Sequence, residues 1–409
     1  MNILLINHYA GNNKLGMEYR PYYLANEWIK QGHNVLIVAS SQAHVRSSQP
    51  DVKRNLQIDT IDGINYLWIK TNKYNGNGIG RIFNIFVFII KLIFNKNKII
   101  KIFKPDVVIA SSTYPLDIFP ANKIAKQCNA KLVFEVHDLW PLSPMELGGY
   151  SKNHPFIKVM QWAENFAYKK SDKVISILPN TLEHMLEHGL NPAKFHYIPN
   201  GIAMDEWQNC ENVSCEHINL INKLKTEGKT VIGYAGSHGL ANALQYLIQA
   251  ADLLREEPVA FLFIGNGPDK ETLKNQAAIM NLQNVFFLNA VPKKTLIPIL
   301  KKIDILFISL QYKPIFRFGI SPNKLFDYMM SGRPIIQAIK TPTDIVKLAD
   351  CGITIEPENH FLIAETIKYF MQLTPDELSD IGARGKNYVA LHHNYKVLAQ
   401  DFINSIESI

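Results

Sequence analysis

A segment near the carboxyl end of the chain, FRFGISPNKLFDYMMSGRPII (residues 316–336), places a cation and a carboxylate at the start of a predicted helix. A Gly-Ile-Ser-Pro loop precedes Lys324 and Asp327, which lie within about one helical turn of each other. The first turn of a helix carries unpaired backbone N–H groups and the positive end of the helix dipole, so it binds anions. A carboxylate there accepts hydrogen bonds from sugar hydroxyls. The pattern predicts a nucleoside diphosphate site, with Asp327 on the ribose and the loop on the phosphates.

Short apolar runs alternate with amphipathic helical patterns along the whole chain, and this alternation predicts βα units with parallel strands. The predicted strands of a first series cover residues 2–7, 35–39, 107–110, 131–136, 173–177 and 194–198. Those of a second series begin at residue 230 and cover 259–264, 284–290, 303–310 and 334–338. The main predicted helices are 17–31, 242–256, 269–280 and 323–331, with further helical stretches after residues 359 and 375.

A chain of 409 residues is long for one α/β domain and fits two. We expect two Rossmann-like, doubly wound domains that face each other across a cleft, because ligands of such folds bind at the carboxyl ends of the strands. The predicted boundaries are residues 1–200 for an acceptor-side domain and 201–385 for a nucleotide-sugar domain. Residues 386–409 are expected to form a helix that returns to the first domain.

Composition narrows the class of protein. The chain is 47% apolar and 19% charged, which is typical of a packed globular protein. A net charge of +7 suits phosphorylated ligands or an anionic membrane surface, but no arginine-rich arm or recognition motif indicates nucleic acid. The four cysteines include no CxxC pair, so neither zinc nor a disulfide framework is predicted. The amino terminus enters a strand without signal-peptide features, so a cytoplasmic protein is expected.

Five predicted strand ends lead into loops that contain glycine, histidine or charged residues. The loops are HYAGNNKLG, EVHDLWPLSP, YAGSHG, GNGP and the segment before FRFGISPNK. One such loop alone is more often only a tight turn. Five of them, all at the ligand-facing ends of strands, favour a binding site.

Several of these motifs, in this order, resemble those of family 4 glycosyltransferases. They are GHNV at residues 32–35, the pair His137–Asp138, IPNG at 198–201, a GxGP turn at 265–268 and an acid-led helix ending in Ser-Gly-x-Pro. The resemblance covers nearly the whole chain and implies the two-domain GT-B fold, a nucleotide-activated sugar donor and retention at the anomeric carbon. EYRPYYLA and FEVHDLWPLSP are similar to the subgroup that builds bacterial surface polysaccharides, including N-acetyl-L-fucosamine transferases.

Two positions depart from the family pattern. The family has two acids eight residues apart around the last loop, whereas the residue eight before Asp327 is Gly319. The family also often has arginine and lysine after the strand that begins at residue 230, where this chain reads GSHGLAN. We expect Arg317 and Lys324 to neutralise the β-phosphate instead.

The predicted site residues divide into two groups. The catalytic group is His137, Arg317 and Lys324, with His137 stabilising charge at the donor sugar and phosphate. The substrate-binding group is Gly16, Glu18, Arg20, Asp138, Ser237, His238, Asn266, Val291, Gly319, Ile320, Ser321, Pro322, Asn323 and Asp327. Each position also has a purely structural interpretation. His137 could only cap a loop, Asp327 could only complement the helix dipole, and Lys324 could be solvated. Ser237 and His238 could form a plain turn, and Glu18 and Arg20 could be charges on a helix surface.

The stretch RIFNIFVFIIKLIFNKNKIIKIFK, residues 81–104, holds six basic residues and no acid. Its longest uncharged run, residues 82–90, is shorter than the roughly 20 residues that span a bilayer. Asn84, Lys91, Asn95 and Lys98 fall on one helical face and leave a wide apolar face. The segment is either a helix packed on the sheet or an interfacial helix on anionic lipid, and both can hold at once.

The sequence therefore predicts a retaining glycosyltransferase that moves a sugar from a nucleoside diphosphate, expected to be UDP, to a lipid-linked saccharide. No DxD pair is present, so we expect no essential metal and no cofactor beyond the donor. The expected location is the cytoplasmic face of the cell membrane. Two alternatives stay open: an epimerase or hydrolase using Glu135, Asp138 or Glu18 for proton transfer, and a non-catalytic sugar-nucleotide sensor.

Overall fold

The structure is a computed structural model that describes residues 1–74, 76, 78–208 and 216–408. Cys210 and Cys215, in the predicted join between domains, lie outside the described residues.

The chain divides into two compact units. The first contains Met1–Asn200 with Tyr395–Ile409, and the second contains Gly201–Asn394. The predicted boundary at residue 386 falls inside a helix, Pro375–His392, because no glycine or proline interrupts its last two turns. The return to the first unit therefore begins at Tyr395.

The first unit contains an eight-stranded sheet in the order β3-β4-β2-β1-β5-β6-β7-β8, parallel except for the β3–β4 pair. Its strands are β1 (Asn2–Ile6), β2 (Asn34–Ser40), β3 (Gln57–Ile61), β4 (Ile64–Ile69), β5 (Val107–Ala110), β6 (Lys131–Val136), β7 (Lys173–Ser176) and β8 (Phe195–Tyr197). Strands β1, β5 and β6 are apolar runs because helices cover both faces of a parallel sheet. The strand order changes direction between β1 and β5, where ligands of doubly wound sheets bind.

The antiparallel β3–β4 hairpin is absent from the sequence prediction. Its turn residues, Asp62 and Gly63, have φ angles of 51° and 82°. An Asp-Gly pair with two positive φ angles is the preferred two-residue hairpin turn. The Asp-Gly dipeptide was therefore the sequence signal for this hairpin. The hairpin was not predicted because β3 alternates with polar residues and contains no apolar run.

The helices of the first unit are α1 (Arg20–Lys30), α2 (Ile79–Ile102), α3 (Ile118–Cys128), α4 (Leu142–Gly148), α5 (Pro155–Lys170), α6 (Leu182–Glu187) and α16 (Tyr395–Glu407). Helix α16 packs on α1 through Trp28, whose indole N–H donates to the Ala399 carbonyl at 3.1 Å. The Trp28 and Phe402 rings meet edge to face at 5.2 Å. This contact fixes the last helix to the first unit.

Helix α2 has two apolar faces. Ile85, Phe88 and Leu92 are buried, whereas a second stripe is exposed at Ile79, Phe83, Phe86, Ile90 and Phe94. Asn84 was expected on a polar outer face, but it is fully buried and hydrogen-bonds inward to His8 and Thr71. In the described part of the chain, no helix combines the length and apolarity needed to cross a bilayer.

The second unit contains a six-stranded parallel sheet in the order β11-β10-β9-β12-β13-β14. Its strands are β9 (Thr230–Ala235), β10 (Val259–Ile264), β11 (Val285–Leu288), β12 (Ile305–Ser309), β13 (Ile335–Ala338) and β14 (Gly352–Ile355). Its helices are α7 (Met204–Gln208), α8 (Glu216–Thr226), α9 (Gln245–Leu253), α10 (Lys270–Ile279), α11 (Lys293–Leu300), α12 (Asn323–Met330), α13 (Ile345–Leu348), α14 (His360–Met371) and α15 (Pro375–His392). The predicted α/β, doubly wound class is confirmed for each unit.

Candidate functional site

In the first unit, side chains from the ends of β5 and β6 form a buried cluster. Glu135 is fully buried, and its carboxylate accepts from Ser111 Oγ at 2.5 Å and from Arg20 Nε at 2.9 Å. His137 Nε2 lies 3.2 Å from Glu135 Oε2 and 3.0 Å from Ser111 Oγ. Among the described residues, none hydrogen-bonds to the other ring nitrogen of His137, so Nδ1 is available to a ligand.

The cluster favours a charged histidine. Burial raises the pKa of Glu135, but the Arg20 guanidinium and the hydrogen bonds from His137 and Ser111 outweigh burial and lower that pKa to about 2. Burial lowers the pKa of His137, but the hydrogen bond to Glu135 and the charges of Glu135 and Glu18 reverse this effect and raise it above its usual value. An imidazolium with Nδ1–H directed away from Glu135 can donate to an anionic oxygen.

Arg20 is not placed to contact a sugar, which corrects the prediction. It is fully buried, and beyond Glu135 its guanidinium donates to the carbonyls of Ile198 and Pro199. A helix-surface position was the alternative, and that is also wrong. Arg20 instead joins α1 to β6 and to the IPNG segment, so it positions the residues around His137.

The Gly11–Gly16 loop closes on itself. The N–H of Gly16 donates to the Asn12 carbonyl at 2.8 Å, and the N–H of Asn12 donates back at 3.0 Å. The N–H of Gly16 is therefore not available to a phosphate. A Cβ at Gly11 would lie 1.9 Å from the Gly16 carbonyl oxygen, so packing within the loop requires glycine there. The half-buried Glu18 follows the loop and acts electrostatically on His137, so its predicted substrate contact stays a prediction.

A cavity of about 380 Å³ opens in the first unit beside the strand that carries His137. Arg81 at the start of α2, Asp138 and Trp140 line it, together with apolar and aromatic side chains of α4 and α5. The Arg81 guanidinium lies 5.3 Å from the Tyr9 ring centre and 5.5 Å from that of Trp140. Asp138 is exposed and lines the cavity, and its predicted contact with substrate stays a prediction.

In the second unit, Lys324 extends from α12 to the loop after β9. Its Nζ donates to Tyr234 Oη at 2.8 Å and to Asn242 Oδ1 at 2.7 Å. Gly236 lies close to this nitrogen, since a Cβ built on Gly236 would be 3.1 Å from Lys324 Nζ. The cation missing from GSHGLAN in the sequence is thus supplied in space by Lys324. Burial lowers the pKa of Lys324 to about 7.

Tyr328 fixes α12 to the end of β9. Its hydroxyl accepts from the Ala235 N–H at 2.7 Å and donates to the Ala235 carbonyl at 3.0 Å. The preceding residue, Asp327, lies 3.5 Å from Lys293 Nζ, which is also 3.5 Å from Glu206. Burial and Glu206 raise the pKa of Asp327, although Lys293 acts in the opposite direction. Lys293 and Glu206 were not predicted, because residues 206, 293 and 327 meet only through tertiary folding.

Asp327 keeps an acceptor for a ligand. Its Oδ1 is buried, and Lys293 Nζ lies 3.5 Å away, at the long limit of a hydrogen bond. This geometry suits the predicted contact with ribose hydroxyls.

His238 is buried in an aromatic pocket, with edge-to-face contacts to Phe263 and Phe287. Within the described part of the chain, neither ring nitrogen has a hydrogen-bond partner. Burial, with nearby Lys270 and Lys324, lowers the pKa of His238 to about 4. A histidine with this pKa is neutral near pH 7, and the predicted contact of His238 with phosphate stays a prediction.

Lys270 was missed by the sequence reasoning and holds the GNGP turn. Its Nζ donates to the Gly265 carbonyl at 2.8 Å, to Asn266 Oδ1 at 3.1 Å and to the Leu288 carbonyl at 3.1 Å. Asn266 is therefore a turn residue tied to α10, as the structural alternative proposed. Its carbonyl also accepts from the His238 N–H at 2.9 Å.

The other predicted residues of the second unit lie in the loops around α12 and β9. Arg317 is exposed on a 3-10 turn, Pro314–Phe318, and donates to the Pro314 carbonyl at 2.8 Å. Gly319 has a φ of 89°, which explains a glycine where the family has an acid. The remaining residues lead into the start of α12, follow β11 or follow β9: Ile320, Ser321, Pro322, Asn323, Val291 and the exposed Ser237.

Comparison with known proteins assigns most of the chain to two family models. "Glycosyltransferase Family 4" matches residues 16–206, and "Glycosyl transferases group 1" matches residues 218–388. The chain is 23% identical over 332 residues to the probable glycosyltransferase WbjE of Pseudomonas aeruginosa, covering 79% of this chain and 78% of that protein.

A second relative and a solved structure extend the comparison. The putative colanic acid biosynthesis glycosyl transferase WcaI of Escherichia coli K12 is 23% identical over 243 residues, 58% of this chain and 59% of its own length. The fold matches HepE of Anabaena, in a structure with UDP and glucose, with a TM-score of 0.70, 15% identity and full coverage of both chains.

The buried ion pair gives a stability prediction. Replacing Arg20 by alanine leaves the Glu135 carboxylate buried without its cation, so we expect the free energy of unfolding of the first unit to fall by about 3–5 kcal/mol. Urea denaturation followed by tryptophan fluorescence measures it, because four of the five tryptophans belong to this unit.

Lys30→Ala is the matched control on the same helix. Lys30 pairs with Glu27 at 2.6 Å, but its side chain is 55% exposed, so the expected loss is below about 1 kcal/mol. An Arg20→Ala variant that loses no more than Lys30→Ala would contradict the positioning role.

Proposed function

Because the chain belongs to the family 4 glycosyltransferases, which have the GT-B fold, we propose that it transfers a sugar from UDP to a lipid-linked saccharide during synthesis of a surface polysaccharide. The relatives support this setting, since one is named for colanic acid biosynthesis. HepE, which shares the fold, was determined with UDP and glucose. An N-acetylated deoxyhexosamine is the proposed sugar, from the resemblance of EYRPYYLA and FEVHDLWPLSP.

The observation that carries the proposal is the incomplete pairing of opposite charges at α12. Lys324 lies at the β9 loop, where its ammonium donates to a phenol and an amide rather than to an anion. Asp327 Oδ1 is buried, with Lys293 Nζ 3.5 Å away. A nucleoside diphosphate supplies the missing partners, phosphate oxygens for Lys324 and ribose hydroxyls for Asp327. Arg317 is the proposed second cation on the phosphates.

His137 is the proposed catalytic group of the first unit. Departure of UDP places negative charge on the β-phosphate oxygen, and an imidazolium donor stabilises such charge. The carboxylate of Glu135 keeps His137 protonated and orients its Nδ1–H. In the front-face course proposed for retaining enzymes of this fold, no enzyme nucleophile is required. The leaving phosphate oxygen accepts the proton of the acceptor hydroxyl.

We assign the acceptor to the cavity beside α2. Its volume of about 380 Å³ is within the usual range of small-ligand sites. Trp140 and Tyr150 supply aromatic faces for a sugar ring, and Asp138 and Arg81 supply polar contacts. The exposed stripe of α2 adjoins this cavity through Ile82 and Arg81, so a lipid anchor and its saccharide would reach the same helix.

The two alternatives receive less support. Glu135 cannot exchange protons near neutral pH, because its pKa is about 2 and both oxygens accept hydrogen bonds, so the hydrolase or epimerase retains only Asp138 and Glu18. The sensor interpretation rested partly on a missing cation after β9, and Lys324 occupies that place.

The function is tested by measuring UDP release from UDP-sugars with and without a polyprenyl-diphosphate saccharide. Release that requires the acceptor is expected. His137→Ala should lower kcat by about 100-fold while changing the donor Kd much less, because the charge it stabilises develops only in the transition state. Release of UDP in the absence of an acceptor would indicate a hydrolase. Binding of the UDP-sugar without release of UDP, whichever acceptor is added, would indicate a sensor.

His196→Ala, a change of a half-buried histidine on β8, serves as the control for that variant. It should keep the kcat of the parent protein. A His137→Ala variant with the kcat of the control would remove His137 from the reaction.

Donor affinity should depend on the protonation of Lys324. In the free protein this ammonium loses its proton as pH rises through about 7. A diphosphate stabilises the charged form and raises its pKa, so binding takes up a proton. Affinity for UDP-glucose should therefore be highest below pH 7 and fall by about tenfold per pH unit just above it. Isothermal titration in buffers of different ionisation enthalpy measures both effects.

Two variants isolate this titration. Lys324→Arg stays charged throughout, so the fall above about pH 7 should disappear. Lys324→Met should bind more weakly at every pH and show the same flat profile. His238 stays neutral in this range because its pKa is about 4. An unchanged slope in both variants would assign the titration to another group.

Membrane contact should depend on the exposed stripe of α2. Phe83 and Phe94 are 59% and 83% exposed, so replacing both by serine should weaken binding to vesicles with anionic lipid by at least about tenfold. Co-sedimentation with vesicles of phosphatidylglycerol and phosphatidylethanolamine measures this binding.

Phe361→Ser with Leu348→Ser is the matched control, because these apolar side chains are also well exposed, at 59% and 64%, but lie on the second unit. This pair should leave vesicle binding unchanged. If the α2 variant and the control bind vesicles equally well, α2 does not contact the membrane and serves only to pack on the sheet.

A further inference from the structure

A second cluster of histidine and carboxylate side chains lies on helices α5 and α6, separate from His137 and from α12. Glu164 on α5 is 2% exposed. His184 lies in α6 and His188 follows one turn later, directly after the helix, and both are half-buried. Their ligand-type atoms all lie within 4.8 Å of one another. The proposed transfer reaction uses none of these residues.

The spacing matches a tetrahedral metal ion. Glu164 Oε1 and His184 Nε2 are 3.2 Å apart, and two ligand atoms bound to one tetrahedral zinc ion at their usual lengths are separated by about 3.3 Å. The rings of His184 and His188 lie 4.5 Å apart and share one helix face. The ligands thus come from two helices, with the acidic one held in place by burial.

Polar side chains converge beside the two histidines. The Gln161 amide nitrogen lies 2.7 Å from Glu164 Oε2, 2.8 Å from Asn165 Oδ1 and 3.0 Å from His188 Nδ1. His188 Nδ1 also lies 3.1 Å from Asn165 Oδ1, so a protonated Nδ1 donates to Asn165. In the other tautomer Nδ1 carries a lone pair, and three acceptors face the two hydrogens of the Gln161 amide. That tautomer suits a cation, and rotation of the Gln161 amide would present its oxygen as a further ligand.

We propose that Glu164, His184 and His188 form a binding site for a borderline divalent transition metal, with zinc the best match. Two imidazoles and one carboxylate are a zinc ligand set that leaves a position for water or for the amide oxygen of Gln161. Tyr168 donates to Glu164 Oε1 at 2.9 Å and orients the carboxylate, as outer partners of metal ligands do.

The site joins α5 to a helix that needs support. Helix α6 contains six residues, Leu182–Glu187, and a helix that short is not stable alone. A metal bound across both helices ties α6 to α5 and stabilises the first unit by preferential binding to the folded state. Its role is structural and independent of sugar transfer.

The test uses the untagged full-length chain, stripped with EDTA and dialysed. Titration with zinc chloride should give one equivalent with a micromolar or tighter Kd, and cobalt should give the visible absorption of a tetrahedral complex. His188→Ala should lose affinity by more than the roughly 10–100-fold that loss of an outer partner costs. Zinc should raise the Tm of the parent protein and leave that of His188→Ala unchanged.

His392→Ala, a change of an exposed histidine on the second unit, is the matched control and should bind zinc like the parent. His188 is only half-buried, so we expect His188→Ala to fold. The midpoint of its urea denaturation without metal checks this. No binding by the folded parent, or equal binding by His188→Ala, would overturn the proposal. These readouts do not depend on turnover, so they stand apart from the transferase assay.

Discussion

A carboxylate buried at the end of a strand is stable as an anion only beside a cation, and Glu135 meets that condition through Arg20. The same guanidinium donates to the carbonyls of Ile198 and Pro199, so one side chain joins α1, β6 and the segment after β8. The anion in turn raises the pKa of His137 and fixes its ring through Nε2. The chemistry proposed for His137 therefore depends on a contact that no substrate touches.

The metal site proposed at α5 and α6 also centres on a buried carboxylate beside histidine, and it shares no residue with the cluster around Glu135. Glu164 Oε1 accepts a hydrogen bond from Tyr168, and Oε2 accepts one from Gln161. Both clusters follow one rule: a carboxylate buried by a helix or strand is held by neighbours that also orient a histidine. In one case the histidine is directed to a ligand, and in the other it meets a second histidine.

Apolar runs predicted the buried parallel strands well, and residues 107–110, 131–136 and 259–264 match the observed bounds, because such strands are apolar on both faces. Strands β3 and β14 lack that pattern, and both were missed together with β4, the partner of β3 in the hairpin. Among site residues, the place of Lys324 on α12 followed from local signals, but its contact with Tyr234 spans 90 residues. Arg20 was misjudged because its position after a loop does not reveal its contacts with Glu135 and Ile198, which lie 115 and 178 residues away.

The buried pair Glu135–Arg20 and the buried groups at α12 differ in their charge states, and this difference supports the donor site proposed at α12. In the first unit the buried anion has its cation, and its pKa of about 2 marks a group stabilised in its charged form. In the second unit burial lowers the pKa of Lys324 and raises that of Asp327, so both groups are displaced towards neutrality. Groups in that condition gain most from a partner that brings complementary charge or donors. A nucleoside diphosphate does both, since its phosphates restore the ammonium and its ribose hydroxyls satisfy the carboxylate. In the proposed complex the ligand would supply the partners of Lys324 and Asp327, whereas Glu135 has its cation before any ligand arrives.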